Sequence, residues 1–281
     1  MIGGILGNGE SFFPAISGDG TSVLFYSSSS NFDSYNYDGI FNYNLTTGNL
    51  TRVSFFDDGQ VMQMGMNYGI PSYNGRYSFL QTFQTLSFNG VPTMIYRRDN
   101  WLQRTVVVSQ NIFGATPNDD SYNPTCSDDG RHVVFQSTAT DLIPSYTGNG
   151  FSNIFLRDLD LNTTLLISKG YNGPLNGGIP DAFISPDFNW LLFTTNATNV
   201  VSGITVATST YQSYLMNMLS GETSLVSIDV GSNQSLPVDA LYPLISRNDI
   251  YVSWYDFLFL FFIINFVLSL IFFSVINNFF S

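Results

Sequence analysis

Short runs of alternating apolar and polar residues recur along this chain, separated by turns rich in Gly, Asn and Ser. In the first unit, residues 22–27 are rich in β-branched and aromatic side chains, and residues 39–45 alternate with a period of two. A short glycine-containing loop at 46–49 joins that run to residues 50–54, as in a β-hairpin. No helical period interrupts these runs before residue 256. The pattern therefore predicts an all-β chain.

A turn motif marks the start of each unit. Pro14 and Pro124 each precede a Ser-x-Asp-Gly turn and an apolar strand, and weaker copies follow elsewhere. Aligning the turns gives spacings of 57, 53, 58 and 61 residues between Ser17, Asn74, Ser127, Ser185 and Ser246. A period near 57 residues with strand-like content predicts a stacked or radial architecture, because one unit cannot bury its own apolar face.

Each unit has the content of a four-stranded blade, because the residues just before each proline can supply a fourth strand. We therefore expect a β-propeller-like array of about four blades, each of 53–61 residues, within residues 1–256. The expected units lie near 8–65, 66–117, 118–175 and 176–236, with a partial unit at 237–256. The sequence leaves the number of blades and the closure of the ring open.

The repeat also resembles that of a known family. Its order is Ser-x-Asp-Gly, strand, loop, Ile-Phe-x-x-x-Leu, Thr-Gly and Leu-x-x-Val-Ser, as in residues 17–54, and this is similar to the propeller repeat of TolB-like proteins over about residues 8–256. The resemblance implies a propeller, commonly of six or seven blades and usually outside the cytoplasm, that serves as a binding scaffold or is attached to a hydrolase. This chain departs in blade number. A fragment, a ring completed by a partner and an unusually small propeller all fit.

The composition changes abruptly after the partial unit. The segment 257–276 starts at Phe257 and ends at Ile276, and 17 of its 20 residues are apolar with no charge among them. Twenty residues at helical rise span about 30 Å, the thickness of a bilayer core. Trp254 and Tyr255 precede it, where an interfacial aromatic belt would lie. We expect a transmembrane helix here and a short tail at 277–281, with a shifted fifth blade as the alternative.

The sequence does not decide on which side of the membrane the repeat domain lies. Arg247 is the nearest cation, and no secretory signal is visible in the first residues. The family resemblance favours a membrane-associated protein with an extracytoplasmic repeat domain, whereas a tail anchor without a leader would leave the array in the cytosol.

Charge narrows the class of partner. Charged residues make up 11% of the chain, the net charge is −12, and Lys169 is the sole lysine. Such a surface cannot neutralise phosphates, so nucleic-acid binding is excluded. Cys126 is the single cysteine, which rules out an internal disulfide, and its place in a predicted strand indicates a small buried apolar residue.

Candidate catalytic residues are few. His132 is the single histidine and no Gly-x-Ser-x-Gly elbow exists, so we predict a structural histidine and no nucleophilic hydrolase or histidine metal site. Oxygen-rich loops make calcium the one candidate ion, yet the carboxylates lack the spacing of a calcium loop. We predict turn carboxylates, no cofactor and no catalytic residue. The candidate carboxylates are Asp33, Asp38, Asp57, Asp58, Asp119, Asp120, Asp128, Asp129, Asp158 and Asp160.

Two further sets of residues are candidates for surface roles, one for glycosylation and one for a binding face. Glycosylation would matter if the chain enters a secretory lumen, and the acceptor sequons are at Asn44, Asn49, Asn162, Asn196 and Asn233. Tyrosines in the strand positions could form a binding face, but packing is the expected role. These are Tyr26, Tyr43, Tyr96, Tyr146 and Tyr211.

These observations favour a non-enzymatic propeller scaffold that binds a protein or glycan through loops at one rim and is tethered by its C-terminal helix. One alternative is a carboxylate-dependent glycan lyase or glycosidase on the same propeller, which needs two carboxyls that converge in a channel-facing pocket with raised pKa values. Another is a truncated gene product without independent function.

Overall fold

The structure is a computed structural model that describes residues 6–62, 66–82, 90–206, 210–229, 234–235, 239–245, 251–255 and 261–265. Every regular element in this part of the chain is a β-strand. Four sheets have four antiparallel strands each and one has three, and in each sheet the spatial order follows the sequence. The predicted all-β class is therefore confirmed. We call these sheets blades 1 to 5 and their successive strands A to D.

The strands have the following bounds. Blade 1 comprises β1 Ser11–Ile16, β2 Ser22–Ser27, β3 Gly39–Asn44 and β4 Leu50–Arg52. Blade 2 comprises β5 Met66–Pro71, β6 Tyr77–Thr82, β7 Ile95–Asp99 and β8 Arg104–Val107. Blade 3 comprises β9 Ser121–Cys126, β10 His132–Ser137, β11 Asn153–Asp158 and β12 Thr163–Leu166, and the ribbon β13 Lys169–Gly170 and β14 Gly173–Pro174 follows it.

Blade 4 comprises β15 Ala182–Ile184, β16 Trp190–Thr195, β17 Gln212–Asn217 and β18 Thr223–Leu225, followed by the ribbon β19 Ile228–Asp229 and β20 Gln234–Ser235. Blade 5 comprises β21 Leu241–Ile245, β22 Tyr251–Tyr255 and β23 Phe261–Asn265.

The repeated turn joins strands A and B, and one serine holds it in every blade from 1 to 4. In blade 1, the Ser17 hydroxyl donates to the Asp19 carboxylate at 2.7 Å and accepts from the Ser22 N–H at 2.9 Å. We call the equivalent residues the turn serines; they are Ser17, Ser72, Ser127 and Ser185.

The turn serines correct the alignment of unit 2. The predicted equivalent there was Asn74, but Asn74 occupies the Asp19 position: the Ser72 hydroxyl donates to it at 3.3 Å and accepts from the Tyr77 N–H at 3.0 Å. The spacing between the first three turn serines is therefore 55 and 55 residues. Ser246, the predicted fifth member, lies outside the described residues.

Strand A is the predicted fourth strand, and in blades 1, 2, 3 and 5 it contains the proline rather than ending before it. A β-bulge interrupts its pairing with strand B in blades 1, 2, 3 and 5. In blades 1 and 3 the residue before the proline, Phe13 or Asn123, has a positive φ of 51° or 52°. A bulge increases the local twist of a strand, which suits the innermost strand of a blade.

The core lies between blades. Successive residues of each strand B face opposite neighbours, as the period of two requires. Leu24 and Leu80 meet between blades 1 and 2, Phe79 and Phe135 between blades 2 and 3, and Val134 and Phe193 between blades 3 and 4; all six are buried. Leu192 and Leu215 of blade 4 contact Ala240, just before blade 5. Burial of these layers holds the array together, at roughly 25 cal/mol for each Å² of apolar surface.

The predicted membrane segment is described only in its middle. Residues 261–265 form β23, which pairs antiparallel with β22, Tyr255 opposite Phe261 and Tyr251 opposite Asn265. The remaining residues of 257–276 lie outside the described part of the chain. Within the described part, no helix reaches the length and hydropathy needed to cross a membrane. The predicted helix therefore stays a prediction, and the five described residues pair as the third strand of a blade.

Candidate functional site

The turns between strands A and B meet where blades 1 to 4 converge. Their backbones form a ladder: the Asp19 N–H donates to the Tyr73 carbonyl at 2.9 Å, the Tyr73 N–H to the Asp128 carbonyl at 3.3 Å, and the Asp128 N–H to the Pro186 carbonyl at 2.8 Å. We call these four turns the turn rim. Since each rung joins main-chain groups of neighbouring blades, the ladder fixes the turns relative to one another.

A cavity of about 200 Å³ opens at the turn rim. Its floor is the end of strands A in blades 2 and 3, and its edge is the residue after each turn serine. The lining residues are Gly18, Ile70, Pro71, Tyr73, Thr125, Cys126, Ser127, Asp128 and Pro186. Sites for whole small molecules are usually about 300–1,000 Å³. This cavity therefore has the size of a single side chain.

The turn rim is acidic. It carries Asp128 in the cavity wall and Asp19, Asp129 and Asp187 at the third position of the turns, and none of the nine lining residues is basic. Burial raises the pKa of Asp129, but hydrogen bonds from the Ser127 hydroxyl and the Arg131 N–H outweigh it and hold that pKa below its usual range. The pKa of Asp19 is lowered by the same balance. Asp19 and Asp129 are therefore ionised at neutral pH.

Cys126 lines the cavity but has no reactive character. Burial raises the pKa of its thiol far above the usual range, with Asp128 and Asp129 adding to the effect. A thiol that stays protonated is neither a nucleophile nor a good metal ligand. Its place in β9, packed beside the core of blades 2 and 3, agrees with the apolar role that the sequence predicts.

His132 is structural. Its ring stacks on Phe188 with centroids 3.8 Å apart and planes at 15°, and its Nε2 lies 3.4 Å from the Asp158 carboxylate. Phe188 occupies the turn position that is glycine in blades 1 to 3, and its φ of 67° is one that bulky residues rarely adopt. The contact therefore joins blades 3 and 4 and is separate from the cavity.

The candidate carboxylate Asp158 builds a hairpin, and Asp99, which was not a candidate, has the equivalent place in blade 2. Asp158 accepts from the N–H groups of Asp160 and Leu161, each at 3.0 Å, and pairs with Arg131 at 2.6 Å. The hydrogen bond from Arg131 is the main reason that the pKa of Asp158 lies well below its usual range. Asp99 makes the equivalent pair with Arg76 in blade 2, at 2.8 Å.

The other candidate carboxylates are dispersed among several loops. Asp33 pairs with Arg52 at 2.6 Å, Asp57 with Arg104 at 2.7 Å, and Asp38 accepts from the Tyr26 hydroxyl at 2.5 Å. Asp120 accepts from the Thr93 N–H at 2.7 Å and Asp119 from the Asp120 N–H at 2.8 Å. Asp58 accepts from the Gln60 N–H and Asp160 lies 3.6 Å from Arg131. In the described part of the chain, no group of three or more His, Cys, Asp or Glu side chains could hold a metal ion.

The sequons occupy different settings. Asn44 caps the hairpin of blade 1, accepting from the N–H groups of Thr46 at 3.0 Å and Thr47 at 2.8 Å. Asn49 and Asn162 are exposed, and Asn196 accepts from the Gly178 N–H at 2.8 Å. Asn233 lies outside the described residues. Glycosylation at these positions stays a prediction.

The sequence analysis did not predict the cavity, although one position of the repeated turn indicates it. The residue after each turn serine differs in every blade: Gly18, Tyr73, Asp128 and Pro186. A position that varies while its neighbours repeat is one at which the fold makes no demand on the side chain.

Comparisons with known proteins agree with the fold. No protein-family model matches the sequence, and no curated protein matches it. Among solved structures, TolB from Acinetobacter baumannii superposes with a TM-score of 0.52 at 16% identity, over 87% of this chain and 48% of that one. A putative TolB from Agrobacterium tumefaciens gives 0.55 at 15% identity, over 89% and 70%. Dipeptidyl peptidase 4 from Porphyromonas gingivalis gives 0.54 at 16% identity, over 89% and 37%.

This chain thus spans about half the length of the Acinetobacter protein. At such identities the likeness establishes the fold alone. The chain has a TolB-like β-propeller fold.

Proposed function

We propose that this chain is a non-enzymatic propeller scaffold that binds a segment of a partner protein at the turn rim. The observation that carries the proposal is the cavity of about 200 Å³ where four blades meet, held in shape by backbone hydrogen bonds between the turns. A site whose walls are fixed before binding loses little conformational entropy when a ligand enters.

The lining favours one kind of side chain. Ile70, Pro71 and Pro186 provide apolar walls, and Asp128 provides negative charge beside them. A lysine or arginine has an apolar stem and a cationic end that match such walls. The net charge of −12 would also attract a basic segment over a distance and raise its association rate. A basic protein segment therefore fits better than a neutral glycan.

The carboxylate-enzyme alternative gains no support from the cavity. It required two carboxyls with raised pKa values in one pocket, whereas Asp128 is the single carboxylate among the lining residues. The pKa values of Asp19, Asp57, Asp99, Asp129 and Asp158 are all lowered. A lowered pKa is the opposite of what a general acid needs.

The test is a selection of random peptides displayed on phage against the full chain, followed by affinity measurement with the synthetic peptides. We expect enrichment of basic sequences whose affinity falls at least about tenfold in Tyr73→Ala and in Asp128→Asn. The matched control is Tyr171→Ala, an exposed tyrosine outside the cavity lining, which should leave affinity unchanged. Peptides whose affinity is unchanged in Tyr73→Ala would refute the proposal, and so would binding to a glycan array without binding to any peptide.

A second part of the proposal is membrane tethering of an extracytoplasmic array through residues 257–276. Its support is the 17 apolar residues in 20, which favour insertion by roughly 5–10 kcal/mol. A membrane helix and the strand Phe261–Asn265 exclude each other, so one experiment chooses between them. Carbonate-resistant association of the full chain with phospholipid vesicles would support the tether, and complete release would eliminate it while leaving the peptide-binding proposal intact.

A further inference from the structure

Trp101 stands exposed on the hairpin between strands C and D of blade 2, at the same end of the blade as the turn rim. The hairpin is bonded to the turn between strands A and B, because the Asn100 N–H donates to the Arg76 carbonyl at 2.8 Å. Trp101 is nevertheless 66% exposed, and Leu102 beside it is exposed to the same extent. Two large apolar side chains are therefore uncovered next to a turn that lines the cavity.

The Trp101 ring is held in place although it is exposed. The guanidinium carbon of Arg76 lies 5.0 Å from the ring centroid, and Asp99 fixes that guanidinium through two hydrogen bonds of 2.8 and 3.1 Å. The second carboxylate oxygen of Asp99 accepts from the N–H groups of Trp101 and Leu102, at 2.9 and 3.0 Å. A side chain that is ordered before binding loses little conformational entropy on contact, and tryptophan is enriched among the residues that dominate interface affinity.

Blade 3 shows that the fold does not require this tryptophan. Asp158 and Arg131 form the same ion pair there, at 2.6 Å, and Asp160 occupies the place of Trp101. Threonine and leucine occupy it in blades 1 and 4. Since four different residue types fill one position of the same hairpin, packing within the blade does not explain an exposed tryptophan.

We propose that Trp101 and Leu102 form a second subsite, which holds a large apolar residue of the same basic segment that enters the cavity. This inference rests on the proposed function. Tyr73 in the cavity wall and Arg76 under the Trp101 ring are three residues apart, so their Cα atoms are at most about 11 Å apart. An extended segment of about six residues, roughly 20 Å long, therefore reaches from the cavity to the ring.

The charges around the two subsites define the partner segment. Asp128 in the cavity wall favours a lysine or arginine there, whereas Arg76 against the Trp101 ring repels a second cation at that ring. Leu102 beside the ring favours an apolar neighbour. The partner is thus a protein segment that carries a basic residue and a large apolar residue within about six positions of each other.

The peptides selected against the full chain test this subsite. We expect them to share a large apolar residue at a fixed spacing from a basic one. Their affinity should fall at least about tenfold in Trp101→Ala and stay close to the original value in Trp101→Phe. Because blade 3 forms the same hairpin without an aromatic residue, Trp101→Ala should leave the circular dichroism spectrum and melting temperature unaltered.

A double-mutant cycle and a matched control assign the contact. A peptide with its apolar residue replaced by serine should bind the original chain more weakly, yet lose no further affinity in Trp101→Ala. Phe113→Ala is the control, because Phe113 is 83% exposed in the loop after β8, at the opposite end of blade 2. This variant should bind the peptides with unchanged affinity.

Failure of the subsite and failure of the proposed function give different results. Peptides that need Tyr73 and Asp128 but bind Trp101→Ala with unchanged affinity would reject the subsite alone. A selection that yields no basic peptide would reject the proposed function and the subsite with it. Loss of glycan binding without loss of peptide binding in Trp101→Ala would assign the ring to a sugar and overturn the inference.

Discussion

Gly130→Ala tests how closely the turn of one blade packs on the strand of the blade before it. Gly130 has a φ of 68°, and a Cβ built on it would lie 2.4 Å from Cδ2 of Tyr77. The Tyr77 ring has little freedom to move, because the guanidinium carbons of Arg97 and Arg76 lie 4.5 Å and 4.8 Å from its centroid. The alanine methyl must therefore displace a ring that two guanidinium groups hold in place.

Two costs add at this position. An alanine in the left-handed region costs about 1–2 kcal/mol, and overpacking of a filled interface costs about 1–3 kcal/mol more. Gly20→Ala isolates the first cost, because Gly20 has the same turn position and a φ of 73° but no atom within 4 Å of the added Cβ. We expect Gly130→Ala to lose about 1–3 kcal/mol more stability than Gly20→Ala.

Urea denaturation followed by tryptophan fluorescence measures both variants, and the comparison uses midpoints at equal m-values. The double variant Tyr77→Ala/Gly130→Ala, compared with Tyr77→Ala alone, should recover the steric part, since the three atoms nearest to the added Cβ all belong to the Tyr77 ring. Equal losses for Gly130→Ala and Gly20→Ala, or no recovery in the double variant, would refute the account of a rigid contact between ring and turn.

Three further changes test other interactions. Asp158 has a lowered native pKa, so its contribution to stability is present above the unfolded-state value of about 3.9 and is lost as pH falls through the native value. Asp158→Asn should flatten the acid limb of a plot of stability against pH below about 4, measured by denaturation in buffers of constant ionic strength. Tyr214→Phe removes a buried hydroxyl that has no hydrogen-bond partner in the described part of the chain, and calorimetry should show unchanged stability or a gain of up to about 1 kcal/mol. Arg52→Ala leaves Asp33 without its buried partner and should cost about 3–5 kcal/mol in urea denaturation, whereas a loss below 1 kcal/mol would contradict burial of the pair.

The strands were predictable because their signal is local. A period of two and a glycine-containing turn depend on neighbouring residues, and they located both hairpins of blade 1. The alignment of unit 2 was wrong because it followed Pro71, and a proline fits at several positions of an edge strand. The serine hydroxyl fixes the turn instead, through its bond to the N–H five residues later, and that bond is visible only in three dimensions.

The cavity was not predictable for a different reason. Its walls come from four blades, and the bonds that bring Tyr73, Asp128 and Pro186 together join backbone atoms, which carry no sequence signal. Phe188 is a similar case. It occupies a turn position that is glycine in blades 1 to 3, and the reason becomes clear only in the structure, where its ring stacks on His132 of the previous blade.

The backbone ladder of the turn rim has a consequence for how this protein can change over evolutionary time. Since main-chain atoms make every hydrogen bond of the ladder, the side chains that follow the turn serines do not contribute to these bonds between blades. Glycine, tyrosine, aspartate and proline already occupy the four equivalent places. Mutation can therefore replace the chemistry of the cavity one residue at a time, and a lineage could acquire a new ligand here without passing through an unfolded ancestor.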